Sequence, residues 1–298
     1  MVRNYLNNPH IRVVLSISCV VIIWSLAAAV EVITLRGLSP MQFSAWCTAI
    51  GAAALSIAIF LTGRTKKLLA YRFRDHLNLI FLSLFGFAGY QILKFTAFTM
   101  VPVPQANILQ YSYPIFTVIF AMPVLKQRLT FTKMVSIVMG FAGAVIILSG
   151  GSLTAIEMVH FGGYVLALCA GASFGLFSVC ATRAAYEPVT SMFFMQLYSA
   201  VIVFCLLCIT GLAAYPSNLA EFAGVFYSGV LAHVVGVIML ISAQRSTSDV
   251  SYISGALYLV PFLSLFAFKV LLDIPVPFYA FIGLVFIVGG MIFHTLRS

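Results

Sequence analysis

The sequence predicts an all-α integral membrane protein with ten transmembrane helices, arranged as two inverted five-helix repeats around a central cavity. Three observations support this prediction: an apolar composition, a regular alternation of basic segments and a weak internal repeat. Of the 298 residues, 62% are hydrophobic and 8% are charged, whereas about 25% are charged in a typical soluble domain. A helix of about 20 apolar residues crosses a bilayer, and most of this chain consists of such runs.

Breaks at glycine, proline and charged clusters divide the chain into apolar segments. We place the ten helices at residues 11–35, 40–62, 77–99, 103–125, 132–150, 161–183, 190–211, 221–243, 248–272 and 276–296. The connections between them are short, so no separate soluble domain is expected. Residues 1–150 would form the first five-helix unit and residues 151–298 the second.

The basic residues predict the orientation of these helices, because cytoplasmic loops carry an excess of lysine and arginine. Of the 16 lysines and arginines, Lys94 and Lys269 lie within helices. With the N-terminus in the cytoplasm, Arg36 lies in an outer connection and all the others lie in inner segments. We attribute the net charge of +9 to this topology rather than to nucleic-acid binding, and expect both termini in the cytoplasm.

An internal repeat relates residues 105–143 to residues 252–290 without gaps. Tyr111 aligns with Tyr258 and Pro114 with Pro261, so a proline falls within the fourth and the ninth helix. Proline removes a backbone hydrogen bond, which is tolerated in a membrane where the backbone faces protein or a cavity. Inverted repeats with paired helix breaks are typical of secondary transporters. We expect the two prolines to break their helices and to take part in gating, with simple packing kinks as the alternative.

The chain resembles the ten-helix, EamA-type branch of the drug/metabolite transporter superfamily. The resemblance covers the whole chain. It is carried by the fourth and ninth helices with their prolines, by AQRSTSDVSYISGALYLVP (243–261) and by LKQRLTFTKMVSIVMGFAGAVIIL (125–148). Members of the family usually carry glutamate just after the fourth and ninth helices, where this chain has Gln127 and Asp273. The resemblance implies two inverted halves around a cavity, and a carrier of amino acids, nucleotide-linked or phosphorylated sugars, drugs or other metabolites.

We therefore expect a secondary-active transporter of the bacterial inner membrane, foremost for an amino acid or related carboxylate, working by alternating access. Alternatives are phosphorylated or nucleoside-type cargo (a sugar phosphate, a nucleotide-sugar or an S-adenosylmethionine-like compound), a channel and, more weakly, an intramembrane enzyme. No cofactor or metal is expected, and proton coupling or substrate exchange would drive transport. A monomer would suffice, and a dimer is compatible. The sequence GASFG (171–175) lacks the strand and turn of a hydrolase nucleophile, and its glycines suit close helix approach instead.

Ionisable residues within membrane helices are the first candidates for a functional site. Lys94, near the outer end of the third helix, would contact an anionic group of the substrate or extend to the outer interface. Lys269, two turns after Pro261, has the same two interpretations. Glu31, the acid embedded in the first helix, would pair with a lysine across the bundle or bind a coupling proton. His233 in the eighth helix would serve coupling or bond to a neighbour.

Polar residues at helical spacing supply the rest of the predicted site. Asn107, Gln110, Tyr111 and Pro114 recur at intervals of three and four, which places them on one face of the fourth helix. A polar stripe is costly against lipid, so this face would contact other helices or line the cavity. The remaining candidates on these and neighbouring helices are Trp24, Tyr90, Gln91, Gln105, Tyr113, Ser251, Ser254 and Tyr258.

Overall fold

The computed structural model describes residues 9–126, 128, 130–149, 160–184, 186–211, 215–246, 257 and 259–297, and no strand occurs among them. The helices are α1 Pro9–Thr34, α2 Pro40–Leu61, α3 Thr65–Leu68, α4 Phe73–Ser83, α5 Gly89–Met100, α6 Val103–Gln110, α7 Tyr113–Val124, α8 Phe131–Leu148, α9 Phe161–Ala184, α10 Pro188–Thr210, α11 Leu219–Phe226, α12 Val237–Ser246, α13 Leu259–Leu272 and α14 Phe278–Arg297. Two π-helical segments are π1 Leu84–Ala88, between α4 and α5, and π2 Tyr227–Gly236, between α11 and α12.

Six helical stretches of the described chain are long and apolar enough to cross a membrane. They are Val13–Thr34, Pro40–Leu61, Phe73–Met100, Phe161–Ala184, Pro188–Thr210 and Leu219–Leu240. Shorter apolar helices lie at Phe131–Ile147, Leu259–Leu272 and Phe278–Phe293. The predicted helix over 103–125 is divided into α6 and α7, and the predicted residues 248–256 lie outside the described part.

The π-helical segments expose backbone carbonyls that side chains then use. A π-turn adds a residue to a helical turn and shifts the hydrogen-bond ladder, often at functional sites. In π1 the Phe85 carbonyl accepts from Ser173 Oγ at 2.7 Å. In π2 the Ala232 carbonyl accepts from Trp24 Nε1 at 3.0 Å. Both bonds connect distant helices, so the irregular turns tie the third and eighth apolar segments to the rest of the bundle.

The longest helix contacts of the described chain fall into a small set of pairs. α8 packs along α14, and α2 packs along α10. α9 packs on α5, α6 and α7, while α1 packs on α13 and on the stretch from α11 to α12. If the apolar segments are numbered from one to ten as the sequence predicts, these pairs are unchanged when segments one to five are exchanged with segments six to ten. Small residues mark the α8–α14 contact, where a Cβ at Gly143 would lie 2.5 Å from the Gly283 carbonyl oxygen.

Glu187 caps α10 and holds the connection that follows α2. Its Oε2 accepts from the Thr190 amide at 2.8 Å and from Thr190 Oγ1 at 2.7 Å, while Arg64 Nη1 lies 2.9 Å from Oε1. Burial raises the pKa of this carboxyl, but the Thr190 hydrogen bonds and the charges of Arg64 and Lys67 outweigh burial and hold the pKa below 4.5. The carboxylate form is therefore the one that the fold stabilises.

The depressed pKa of Glu187 predicts a loss of stability in acid. Because the folded-state pKa is the lower one, the contribution is present above the unfolded value of 4.5 and disappears as the pH falls through the folded value. We expect Glu187→Gln to lower the free energy of unfolding by about 1 kcal/mol at neutral pH, as for loss of a helix cap. Thermal unfolding in detergent should show the two proteins converging in acid. A pH-independent difference would contradict the ionised cap.

Candidate functional site

A buried ion pair joins α1 to α5. Lys94 Nζ lies 2.7 Å from Glu31 Oε1, and the two residues are 5% and 1% exposed. Buried charges are tolerated when they are paired with good geometry, since each costs several kcal/mol to remove from water. The structure thus contradicts the interpretation of Lys94 as a cation extending to the outer interface. It places Glu31 in the predicted pairing across the bundle.

The ion pair is not fully satisfied by its surroundings. Glu31 Oε2 is buried without a hydrogen-bond partner among the described residues. Lys94 Nζ lies 4.8 Å from the ring centroid of Phe95, 5.4 Å from that of Tyr90 and 5.8 Å from that of Phe98. Ring faces attract a cation, but they do not replace oxygen acceptors for an ammonium group, which has three N–H donors. Both charges keep the capacity to bind a further polar group.

A chain of side-chain hydrogen bonds runs from Tyr90 to α13. The Tyr90 hydroxyl donates to Gln110 Oε1 at 2.8 Å, and Gln110 Nε2 donates to Asn107 Oδ1 at 3.0 Å. Asn107 Nδ2 donates to Ser264 Oγ at 2.7 Å, and Ser264 Oγ donates to the Pro261 carbonyl at 2.8 Å. We call these four side chains the Tyr90–Ser264 chain. Tyr90 donates at the start of the chain, and Gln110, Asn107 and Ser264 each accept from one neighbour and donate to the next, so the chain fixes their orientations.

Ser264 is the member of this chain that sequence reasoning missed. It follows Pro261 by three residues, the spacing that places two residues on one helix face. The surrounding sequence LVPFLSLFAF (259–268) contains no other polar side chain. A single polar residue at that spacing was sufficient to predict that Ser264 lies on the same face as Pro261. Its hydrogen-bond partner, Asn107 on α6, could not be predicted, because it depends on how the helices pack.

Replacing Asn107 by leucine should interrupt the Tyr90–Ser264 chain at its centre. Gln110 Nε2 would lose its acceptor and Ser264 Oγ its donor in a buried environment, and such a loss costs about 1–3 kcal/mol for a group left unsatisfied. We expect Asn107→Leu to lower the unfolding free energy by at least about 2 kcal/mol and to slow transport. Thr117→Val is the control, because Thr117 Oγ1 bonds within its own helix, to the Tyr113 carbonyl. Thermal unfolding that ranks the two variants equally would refute the importance of the chain.

The fourth apolar segment is broken immediately after Gln110. α6 ends there, and α7 begins at Tyr113 after a two-residue turn. Pro114 lies in the first turn of α7, where a missing N–H leaves no hydrogen bond unmade. The predicted helix break next to Pro114 is confirmed, although the proline starts the second helix rather than kinking a continuous one. Pro261 lies near the start of α13, and the gating role of both prolines stays a prediction.

Two glycines of α9 pack directly against this break. A Cβ at Gly171 would lie 3.0 Å from the Gln110 carbonyl oxygen, and a Cβ at Gly175 would lie 2.9 Å from the Thr117 amide nitrogen. The prediction that the glycines of GASFG allow close helix approach is confirmed. The break in the fourth segment thereby lies directly against α9.

Gln91 and His233 form a second polar group on the third and eighth segments. Gln91 is fully buried; its Oε1 accepts from Ser44 Oγ at 3.0 Å and its Nε2 lies 3.4 Å from His233 Nε2. His233 Nδ1 lies 2.5 Å from the Ser228 carbonyl. A carbonyl only accepts, so we assign the ring proton to Nδ1, which leaves Nε2 as the acceptor for Gln91. This is the hydrogen-bonded alternative for His233; a role in coupling stays a prediction.

Trp24 and Tyr111 lie together in an apolar cluster. Both side chains pack around Val13, Ile17 and other buried residues of α1, α12 and α13. The indole N–H of Trp24 is already engaged with π2, so its exposed ring atoms are what it can offer to a ligand. Gln105 is buried on α6 and donates to the Tyr279 hydroxyl at 3.0 Å. The candidates Ser251, Ser254 and Tyr258 lie outside the described residues.

Lys269 does not join the other candidates, which contradicts its interpretation as a substrate contact and leaves the interpretation of a residue at the outer interface. Its side chain is 61% exposed and lies 2.6 Å from Asp273. A helix turns by about 100° per residue, so the inward face defined by Pro261 and Ser264 leaves Lys269 on the outside of α13. The hydrogen bond and the charge of Lys269 lower the pKa of Asp273, and the pair is a surface contact.

Known proteins share both the sequence pattern and the fold. The EamA-like transporter family matches residues 11–149 and again residues 161–296. An uncharacterized transporter, YyaM, of Bacillus subtilis is 24% identical over 133 residues, which are 45% of this chain and 43% of the relative. An uncharacterized transporter of Archaeoglobus fulgidus is 27% identical over 124 residues, 42% and 43% of the two chains. These alignments span less than half of each relative. A solved crystal structure with 22% identity covers 95% of this chain and 97% of its own, with a TM-score of 0.67.

Proposed function

The chain belongs to the EamA-like transporter family, and we propose that this multi-pass membrane protein is a secondary-active transporter of a small polar metabolite. An amino acid or related carboxylate is the cargo that the proposal names, moved by alternating access. The membrane would be the inner membrane of a bacterium, and the transporter would need no cofactor. Substrate exchange or proton coupling would supply the driving force.

The buried pair of Glu31 and Lys94 is the observation that carries this proposal. Charged side chains inside a membrane are expensive and characteristically mark substrate or ion pathways. Here each charge retains an unused bonding position, as described above. Lys94 offers a cation to a carboxylate, and Tyr90 connects that position to α13. We propose the substrate contacts to be Lys94, Tyr90, Gln91, Asn107, Gln110, Tyr111, Trp24, Ser254 and Tyr258, with Glu31 and His233 as candidates for coupling.

The packing supports ten membrane crossings in two inverted units, residues 1–150 and 151–298. The exchange of the first five segments with the last five leaves the helix pairs unchanged. In the repeat alignment Gly143 corresponds to Gly290, and Gly283 corresponds to Ser136. Both pairs are in close contact: a Cβ at Gly290 would lie 3.0 Å from the Ser136 carbonyl oxygen, as a Cβ at Gly143 would lie close to that of Gly283. The same exchange also carries π1 onto residues within π2. Two rigid halves related in this way are what alternating access needs.

Contacts between connections support the proposed topology, with both termini in the cytoplasm. Gly37, in a connection assigned to the outside, packs so closely on Glu221 that a Cβ would overlap its carboxylate. On the side assigned to the cytoplasm, Arg64 pairs with Glu187, and Arg183 Nη1 lies 3.4 Å from the Val124 carbonyl. These two contacts agree with basic connections that lie on one side of the bundle, as the positive-inside rule requires.

Counterflow in proteoliposomes tests this proposal. Vesicles containing the purified full-length protein would be loaded with one unlabelled L-amino acid at a time and mixed with the same labelled compound. We expect transient accumulation of label for at least one amino acid, as an alternating-access carrier gives. Accumulation of a sugar phosphate or a nucleotide-sugar, without accumulation of any amino acid, would show that the cargo is one of these compounds instead. Equilibration without accumulation would indicate a channel and overturn the carrier mechanism.

A further inference from the structure

The pair of Glu31 and Lys94 presents two opposite charges in direct contact, each with bonding capacity to spare. The Nζ–Oε1 distance is 2.7 Å, and Oε2 of the same carboxylate has no partner among the described residues although it is buried. A buried acceptor without a partner in a native protein calls for a physical explanation. A bound group that donates to Oε2 would supply one.

We propose that the substrate is amphoteric, and that its ammonium group binds Glu31 while its carboxylate binds Lys94. This inference rests on the proposed function and narrows it: Glu31 becomes a specificity-determining contact rather than only a partner of Lys94 or a proton carrier. An α-amino acid carries its two charges on one carbon. They are therefore close enough together to engage a pair of side chains that are themselves in contact.

Charge balance explains why one charge on the substrate would not suffice. A carboxylate without an ammonium group would draw Lys94 away and leave Glu31 as a second buried anion beside the first. An amine without a carboxylate would do the same to Lys94. Leaving one member of a buried pair uncompensated is strongly unfavourable, and selectivity arises as much from such penalties against the wrong ligand as from contacts to the right one.

Charge balance also predicts that substrate binding leaves the net charge of the site unchanged. The empty pair is neutral, and a zwitterion adds none. Transport would then be electroneutral and would need no obligatory ion, with the aromatic rings around Lys94 forming the wall on which the amino-acid side chain packs. The rings of Tyr90 and Phe174, whose centroids are 5.0 Å apart, continue this wall toward α9.

Matched competitors test the inference directly. Inhibition of amino-acid counterflow would be compared for L-leucine, isopentylamine and 4-methylpentanoate, and for L-phenylalanine, phenethylamine and 3-phenylpropanoate. In the series whose amino acid is transported, we expect the amine and the acid each to inhibit at least about 30-fold more weakly than the amino acid. This factor is the lower end of the cost of leaving a buried charge unpaired. An imposed membrane potential should not change the rate of transport.

Variants separate a role in binding from a role in folding. Glu31→Gln alone would leave Lys94 unpaired, so the double variant Glu31→Gln/Lys94→Met is used, which keeps both shapes without charge. It should fold and bind the amino acid at least about 30-fold more weakly, measured as thermal stabilisation of the detergent-solubilised protein by the ligand, while the charge-exchanged Glu31→Lys/Lys94→Glu retains measurable binding. Arg36→Gln, an exposed charge beyond the end of α1, is the control and should match wild type.

The outcomes distinguish this inference from the proposed function. Equal inhibition by an amino acid and its carboxylate-only analogue would overturn the amphoteric substrate while leaving a carboxylate transporter in place. Wild-type binding of the amino acid by the neutral double variant would also overturn it. Absence of counterflow for every amino acid, together with counterflow of a phosphorylated compound, would overturn both the proposed cargo and this inference.

Discussion

Lys94→Met should destabilise the protein by about 3–5 kcal/mol, the cost of removing one partner of a buried ion pair. Glu31 is 1% exposed, and its Oε1 accepts from Lys94 Nζ at 2.7 Å. Without the lysine, a buried carboxylate would remain in the bundle interior without a countercharge. The expected result is a large fall in the thermal unfolding temperature of the detergent-solubilised protein, together with loss of transport.

A second substitution shows whether the missing countercharge is the cause. Glu31→Gln/Lys94→Met removes both charges, and replacing a buried pair by neutral groups is often nearly neutral for stability. The double variant should regain most of the lost stability but not transport. Lys66→Met, at an exposed lysine after α2, should leave both unchanged. Equal unfolding temperatures for the single and double variants would refute the pairing as the source of stability.

The ion pair shows how far sequence reasoning reaches for the site. The sequence places Lys94 and Glu31 within apolar helices, and the energetic argument then requires each buried charge to find a partner. It leaves open whether a lysine near a helix end reaches the interface instead. The two residues are 63 positions apart, and only the tertiary structure, which brings their side chains together, decides between these alternatives.

Lys269 and Ser264 illustrate the same limit on a single helix. Both follow Pro261, and both are compatible with an inward position when judged by spacing alone. The burial of Val260, Pro261, Ser264 and Leu265 defines the inner face of α13, which turns Lys269 toward the surface. When the inner face of a helix is assigned from one proline, its direction around the helix axis is poorly defined. Several buried positions define that direction closely.

Helix limits are the part of the fold that the sequence predicts best, because apolar length is a local property. The prediction of residues 40–62 compares with Pro40–Leu61, and 161–183 with Phe161–Ala184. The π-helical segments were not predicted. One added residue in a turn leaves the apolar composition unchanged and shifts periodicity too little to be seen in a uniformly apolar stretch. The break after Gln110 was located only approximately, since Pro114 permits it and the glycines of α9 accommodate it.

The second large effect is expected at the crossing of α8 and α14. A Cβ at Gly143 would lie 2.5 Å from the Gly283 carbonyl oxygen, and no side-chain rotation relieves a contact with backbone. Membrane helices associate through such small residues because close backbone approach replaces the hydrophobic effect there. We expect Gly143→Ala to cost about 1–3 kcal/mol, as overpacking does, and Gly143→Leu to prevent recovery of a monodisperse folded protein.

Alanine substitutions at Gly143 and at two glycines of α14, Gly290 and Gly289, can be ranked by the expected loss of stability. The ranking also tests the predicted internal repeat. Gly290 aligns with Gly143 in the predicted repeat, and its Cβ would lie 3.0 Å from the Ser136 carbonyl oxygen, so Gly290→Ala should be the second most damaging of the three alanine substitutions compared. Gly289→Ala is the control. Its Cβ would meet only the terminal methyl of Met139, at 3.2 Å, a flexible group that can move, and alanine favours the helix. Thermal unfolding should rank the losses Gly143, then Gly290, then Gly289. A Gly290 variant as stable as the Gly289 variant would show that the Gly143–Gly283 and Gly290–Ser136 contacts are not equivalent, and would weaken the case for two inverted units packed along α8 and α14.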